Sequence, residues 1–135
     1  MISAMANWVP RAGATLHLPS GSVKHLFVVL NDPKTFNNYG SAVCIVLVNL
    51  SSVPTEGMWF DNTCVLAAGC HPSIIRDSYV YYKHARIEQV RDVMQRIEAG
   101  VYSTGEAINE QLLQQIKSGL LKSSFTKREF KLLGI

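Results

Sequence analysis

Short apolar runs separated by turn residues characterise the first 85 residues of the chain. The predicted strands lie at residues 14–18, 25–30, 42–50, 64–67 and 78–82. The first ends at a predicted turn over residues 19–21 (Pro-Ser-Gly). The third is apolar on both faces except at Asn49, so we expect it to be covered on both sides. Five strands within about 70 residues are typical of a small antiparallel barrel or sandwich.

After residue 85 the apolar spacing changes to that of helices. One predicted helix has apolar residues every three or four positions, at Ile87, Val90, Met94 and Ile97. Gly100 follows the predicted end of this helix. A capping box at residues 103–106 (Ser-Thr-Gly-Glu) predicts the start of a second helix. That helix would bury one face formed by Ile108, Leu112, Ile116 and Leu120. A second capping box at residues 126–129 predicts a short last helix with Phe130 and Leu133, ended by Gly134.

These patterns predict one α+β domain over residues 1–135. Residues 11–85 would form a small antiparallel β-barrel of about five strands, and residues 86–135 a C-terminal extension of two or three helices. The length of 135 residues fits a single domain, and the hydrophobic content of 47% with 17% charged residues predicts a packed globular chain.

The net charge of +3 permits an anionic partner without requiring one. Most of this charge lies in the last 20 residues, which hold one acidic residue and five basic ones: Lys117, Lys122, Lys127, Arg128 and Lys131. These cations either form a nucleic-acid-binding patch or lie on solvated helix faces. The second interpretation is favoured, since no arginine-rich run or aromatic ladder accompanies them.

Three cysteines at irregular spacing do not form the framework of a disulfide-rich secreted domain. The N-terminal ten residues lack the features of a signal peptide, and the longest apolar run, residues 42–48, is too short to span a membrane. We therefore expect a cytoplasmic protein without a membrane partner. Cys64, Cys70 and His71 suggest a zinc site, but a second ligand pair is missing, so we expect packed thiols and no metal.

Polar residues at the ends of the predicted strands are the candidates for chemistry. They include Lys24 and His25 before the second strand, Ser51 and Ser52 after the third, and, in the loops around the last two, Asp61, His71, Arg76 and Ser78. His25 and His71 are of a type that transfers protons near neutral pH, and Lys24 or Arg76 could stabilise charge on a phosphate. Each histidine could instead be a surface or core residue with one ordinary hydrogen bond. No phosphate-binding glycine loop or nucleophile elbow is present, which argues against a nucleotide-dependent enzyme or a serine hydrolase.

Four segments occur in a suggestive order. Residues 11–16 contain a glycine before the first strand, residues 25–31 form a Val-rich strand, residues 48–52 end a strand in Ser-Ser, and Arg76-Asp77-Ser78-Tyr79-Val80 leads into Arg86-Ile87. This order resembles the MazF/PemK-like toxin family, whose members are small SH3-like barrels that act as ribonucleases in toxin–antitoxin pairs. The chain departs from the family pattern in two places: Lys24-His25 replaces the catalytic arginine, and Ser51 stands at the reactive threonine. Lysine cannot hold a phosphate in the bidentate geometry of arginine, so the chain would be a divergent member.

The resemblance implies a cytoplasmic, metal-independent endoribonuclease that cleaves single-stranded RNA without a cofactor, through attack of the substrate's 2′-hydroxyl. His25 or His71 would transfer protons, Lys24 would stabilise charge, and Ser51 would orient a phosphate oxygen. The remaining candidates for substrate binding are Ser52, Asp61, Arg76, Ser78 and Tyr79. Tyr79, Tyr81 or Tyr82 could stack on a base, although strand alternation places Tyr82 opposite the other two, so one set should be core. The resemblance also implies a homodimer and an antitoxin partner.

The alternative is a non-catalytic SH3-like module that binds nucleic acid or a protein partner in a phage-defence or regulatory system. The replacement at Lys24-His25 and the long helical tail at residues 100–135 favour this alternative.

Overall fold

The computed structural model describes residues 8–20 and 22–135, so most of the segment tested for a signal peptide, and Gly21 of the predicted turn, lie outside it. The described residues form seven strands: β1 (Thr15–Ser20), β2 (Val23–Val29), β3 (Cys44–Ser52), β4 (Val65–Leu66), β5 (Ser78–Val80), β6 (Arg86–Gln89) and β7 (Ser103–Thr104). Their α-helices are α1 (Val90–Glu98), α2 (Glu110–Lys122) and α3 (Arg128–Lys131). Short 3₁₀ turns occupy Asn37–Tyr39 and Tyr82–His84.

The strands form one antiparallel sheet in the order β4-β5-β3-β2-β1-β7. The central strand, β3, pairs with β2 along one edge, while its other edge pairs with β6 near Cys44 and with β5 near Ser52. The predicted α+β class and antiparallel sheet are confirmed. The sheet has seven strands rather than about five, and no ladder between described residues joins β4 to β7, so it does not close as a barrel.

Both faces of the sheet are buried. Side chains alternate along β2 and β3, so each of these strands contributes residues to both faces. On one face, Leu26 and Val28 belong to a core that includes Ile116 and Leu120 of α2. The other face carries a second core, formed by Phe27, Val29, Ile45 and Leu47 of the sheet with Val93 and Ile97 of α1. The prediction that the third strand is covered on both sides is confirmed, since residues 44–50 are all buried.

The first strand extends into the first two residues of the predicted turn. Pro19 and Ser20 belong to β1 and pair with Lys24 and Val23. Because β7 pairs only with Leu16 and His17, the rest of β1 lies at the sheet edge. A proline, which lacks a backbone N–H, is tolerated at such an edge.

Residues 86–135 contribute two strands besides the helices. Ile87 was predicted to begin a helix, but residues 86–89 form β6, in which Ile87 pairs with Val46. The helix begins at Val90 and ends as predicted before Gly100, whose φ of 77° suits glycine. A single apolar residue such as Ile87 is compatible with the spacing of either a helix or a strand. Here it forms a strand, because residues 86–89 pair with the otherwise unpaired half of β3.

Both predicted capping boxes are wrong. Ser103 and Thr104 pair with β1 as β7, and α2 starts later, where the Asn109 side chain accepts a hydrogen bond from the Leu112 N–H at 2.8 Å. The predicted apolar face of this helix is confirmed for Leu112, Ile116 and Leu120, which are buried, whereas Ile108 is buried in the segment before the helix. The short last helix also forms, with Phe130 buried, but Lys127 precedes it without a side-chain cap.

The described residues contain no helix that is both long and apolar enough to cross a membrane.

Candidate functional site

A groove opens where β2 and β3 stop pairing. Their ladder runs from Leu26↔Leu50 to Val29↔Leu47, so the preceding residues of β2 face the end of β3 without a ladder between them. The loop after β4 closes the third side with residues 73–76. The cavity has a volume of about 300 Å³, and its lining includes Lys24, His25, Ser51, Ser52, Arg76 and Ser78. The structure therefore brings together six of the predicted site residues.

The charge of this groove is positive. Lys24 and Arg76 are both exposed at its margin, and the described residues that line it include no carboxylate. The nearby Asp77 is engaged elsewhere, because its Oδ1 accepts a hydrogen bond from the Ala68 N–H at 2.9 Å. Such a lining favours an anionic ligand.

His25 of β2 and Ser51 of β3 both line the groove. Each lies one residue beyond Leu26↔Leu50, the pair at which the β2–β3 ladder ends. Both side chains are partly exposed. The groove thus combines a titratable ring with a hydroxyl on a rigid sheet, which is the support that catalytic groups need.

Lys24 lines the groove, but its ammonium group is directed across β1. Its Nζ donates to Ser103 Oγ of β7 at 3.2 Å. Burial, followed by the positive charge of Lys24 and by His71, lowers the pKa of His17 on the intervening strand. The bond to Ser103 is exposed to solvent and worth about 1 kcal/mol at most, so a phosphate in the groove could compete for the ammonium group.

Arg76 belongs to a loop whose backbone is held by several hydrogen bonds. Ser78 Oγ donates to the Arg76 carbonyl at 2.8 Å, and the Gly69 N–H donates to the Ile74 carbonyl at 2.7 Å. The buried Ser78 therefore shapes the loop, while the guanidinium group of Arg76 remains exposed and can bind an anion.

His71 does not line the groove. It is only 5% exposed, and both ring nitrogens are engaged: Nδ1 accepts from the Ser73 N–H at 3.0 Å, and Nε2 lies 2.7 Å from the Glu106 carbonyl oxygen. A ring that accepts at Nδ1 must carry its proton on Nε2 and donate it to that carbonyl. His71 thus occupies the position of a core histidine that supports the groove-lining residue Ser73.

Asp61 is also buried away from the groove. Its carboxylate accepts hydrogen bonds from Ser123 Oγ at 2.7 Å and from Thr63 Oγ1 at 2.7 Å. The bond from Ser123 connects the segment before β4 to the end of α2, so the structure places Asp61 among the contacts between elements.

Tyr79 lies beside the groove on the same face of the sheet as Ser51, its partner in the β3–β5 ladder. Tyr79 and Tyr81 are half-buried and Tyr82 is fully buried, so the prediction that one set belongs to the core is confirmed. The strand predicted over residues 78–82 ends at Val80, however, and Tyr82 lies in the following 3₁₀ turn. Tyr82 donates its hydroxyl hydrogen to the Ile116 carbonyl at 2.8 Å.

The cysteines do not form a ligand cluster with His71. Cys44 and Cys64 are buried among apolar residues, and Cys70 is exposed. Burial raises the pKa of each thiol above its ordinary value. Within the described ranges, no group of three His, Cys, Asp or Glu side chains could hold a metal ion.

The cations near the C-terminus lie on or near α2 and α3, and none of them lines the groove. Sequence reasoning also missed Ser73 and the apolar lining residues Ile74 and Ile75, because only the folded loop brings them against β2. The Pro72-Ser73 pair is a turn signal that could have drawn attention to this loop.

No family model, curated protein or solved structure matches the chain.

Proposed function

We propose that the protein is a divergent MazF/PemK-like, metal-independent endoribonuclease that cleaves single-stranded RNA in the groove between β2 and β3. The observation that carries this proposal is the lining itself: a positively charged cleft is lined by Lys24 and His25 of β2, Ser51 of β3 and Arg76 of the loop before β5. A cation, a proton-transferring ring and a hydroxyl are the groups that phosphodiester transesterification needs.

The reaction would begin when His25 accepts the proton of a ribose 2′-hydroxyl. The 2′-oxygen forms a bond to the adjacent phosphorus while the bond from phosphorus to the 5′-oxygen breaks. The departing oxygen takes a proton from Lys24 or from solvent, which leaves a 2′,3′-cyclic phosphate and a 5′-hydroxyl. Arg76 and Lys24 would stabilise the charge that develops on the phosphate oxygens, and Ser51 would donate a hydrogen bond to one of them.

The sheet is proposed to be an open variant of the SH3-like barrel. This is supported by the shared edge of β3, which pairs with β6 along one half and with β5 along the other, so that one long strand joins two parts of the sheet.

The test is cleavage of a labelled RNA pool in EDTA. Replacing His25 with Gln should lower the rate by about a hundredfold or more, as expected for loss of general acid–base catalysis. The double variant Lys24→Ala, His25→Ala should show no cleavage above background. Lys122→Ala, which removes an exposed cation at the end of α2, is the matched control and should cleave like the wild type. Equal cleavage by all of these proteins, or by none, would contradict the assignment.

A second candidate is an RNA-binding module without catalysis. Both ring nitrogens of His71 are engaged in hydrogen bonds away from the groove, so His25 is the one histidine among the described residues that lines it. The absence of a second histidine from this lining favours binding without catalysis. A binder would shift the labelled RNA in a gel without shortening it, and the shift would weaken in Arg76→Ala.

The homodimer and antitoxin are proposed as the protein partners. Support comes from an exposed apolar pair beside the end of α2: Trp59 is 62% exposed, and its ring lies 4.8 Å from that of Phe125. Exposed aromatic side chains in contact with each other are typical of surfaces that bind proteins.

A further inference from the structure

Four aromatic rings form a continuous row on the sheet face next to the groove. We call Phe60, Tyr79, Tyr81 and His84 the aromatic strip. The ring centroids are separated by 5.2 Å between Phe60 and Tyr79, 5.8 Å between Tyr79 and Tyr81, and 4.2 Å between Tyr81 and His84. The first three side chains are partly exposed and His84 is exposed, so the rings are accessible to a ligand.

The strip occupies the part of this face that α1 does not cover. The core beneath α1 contains Phe27, Val29 and Leu47, and it includes no ring of the strip. The ring planes are inclined to one another by 47°, 61° and 49°, so each partly exposed ring offers its own face to a planar group.

The strip continues directly from the groove. Ser51 lines the groove and pairs with Tyr79 across the β3–β5 ladder. Tyr79 therefore lies on the β3 side of the groove, and His25 lies on its β2 side. A strand of nucleic acid whose phosphate lies at Lys24 and Arg76 would therefore bring a neighbouring base over Tyr79.

We propose that the aromatic strip binds the bases of single-stranded RNA, with Tyr79 and Tyr81 as its stacking positions. This inference rests on the proposed function, and it adds the surface that holds the substrate beside the reacting phosphate. The combination of a positively charged groove with adjacent aromatic rings favours a single-stranded nucleic acid over a protein partner, because the groove binds phosphates and the rings bind the faces of bases.

The test separates binding to bases from cleavage. The probe is a fluorescent oligonucleotide in which every 2′-hydroxyl is methylated, so that it cannot be cleaved through that oxygen, and a base-free strand of the same length is its comparison. Tyr79→Leu and Tyr81→Leu should each weaken binding of the base-containing probe by about fivefold or more, since a stacked base contributes about 1–3 kcal/mol. Tyr39→Leu changes an exposed tyrosine outside the strip and is the control, and Tyr79→Phe should restore binding.

Binding of the base-free strand should be weak and the same in the wild type and the leucine variants. Unchanged binding of the base-containing probe by Tyr79→Leu and Tyr81→Leu, or equal weakening for both strands, would overturn the inference. Failure of the wild type to bind either strand would also overturn it and direct attention to a protein ligand. Base-dependent binding without any RNA cleavage would contradict the endoribonuclease proposal alone.

Discussion

At the scale of single residues, Gly119 packs directly against the side chain of Tyr82. Gly119 lies within α2, and a Cβ at this position would overlap the Tyr82 hydroxyl and lie 2.7 Å from Cζ of its ring. The ring cannot move aside easily, because it is fully buried and hydrogen-bonded to the Ile116 carbonyl. Burial, as the main cause, raises the pKa of this hydroxyl far above its ordinary value, so it remains a donor.

Gly119→Ala is therefore expected to lower the free energy of unfolding by about 1–3 kcal/mol, as overpacked cores do. In an exposed helix position the same change would stabilise by about 1 kcal/mol, so the sign of the effect is diagnostic. Urea denaturation of the variant measures it, with Ser118→Ala at the neighbouring exposed position as control. A variant as stable as the wild type would contradict the packing of Tyr82 against α2.

His17 is expected to make stability depend on pH. Because burial and the charge of Lys24 lower its pKa below the ordinary histidine value of 6.5, the folded state binds the proton less readily than the unfolded chain. The contribution of His17 is complete above the unfolded pKa and is lost as the pH falls through 6.5 towards the lower folded value. Unfolding free energies measured between about pH 7.5 and about pH 5.5 should fall more steeply for the wild type than for His17→Asn. Identical slopes would show that His17 is not the responsible group.

At the scale of elements, the loop that borders the groove is held by a histidine outside it. His71 joins the Ser73 N–H to the Glu106 carbonyl, and Thr15 Oγ1 donates to the same carbonyl at 2.8 Å. The loop between β4 and β5, the first strand and the segment before α2 therefore meet at one oxygen atom.

His71→Ala should lower the free energy of unfolding by about 1–3 kcal/mol, because the Ser73 N–H loses its partner and the Glu106 carbonyl keeps only the bond from Thr15 Oγ1. It should also increase amide hydrogen exchange at residues 73–76 more than elsewhere and weaken RNA binding at the groove. Hydrogen exchange followed by mass spectrometry gives this readout, and Lys122→Ala, an exposed position outside both the groove and the aromatic strip, is the control. If exchange in this loop stays unchanged, His71 does not position it.

Some elements followed from local patterns and others did not. The long strand β3 and the apolar face of α2 were predictable because their periodicity extends over many residues. The strands β6 and β7 were not, since β7 has two residues and β6 has four, and both exist because β3 and β1 offer them unpaired edges. The capping box at residues 103–106 failed for the same reason: pairing with β1 uses the backbone that a helix start would need.

The candidate site shows the same division between local and long-range information. Lys24, His25, Ser51, Ser52 and Arg76 could be selected as polar residues at strand ends, and the fold brings them to one groove. His71 and Asp61 have the same residue types and similar loop positions, yet both are buried in contacts between elements. Burial depends on how α2 packs on the sheet, and no local pattern near His71 or Asp61 contains that information.

At the scale of the whole molecule, the sheet separates two cores and leaves one rim open. Helices α2 and α1 cover opposite faces, and the groove lies at the end of β3 that pairs with β5. The net charge of +3 is small, so the attraction for an anion depends on the local placement of Lys24 and Arg76. RNA binding should accordingly weaken with salt, and Arg76→Ala should reduce the slope of log affinity against log salt by about 0.7, the value for one phosphate contact on a single strand.

The chemical nature of the RNA ends tests the central claim most directly. RNA incubated with the wild-type protein in EDTA should yield fragments with a 2′,3′-cyclic phosphate at one new end and a 5′-hydroxyl at the other, identified by mass spectrometry. A substrate with every 2′-hydroxyl methylated should remain intact. Fragments with 3′-hydroxyl and 5′-phosphate ends, cleavage of the methylated strand, or RNA left whole by the wild-type protein would contradict cleavage in the groove of Lys24, His25, Ser51 and Arg76.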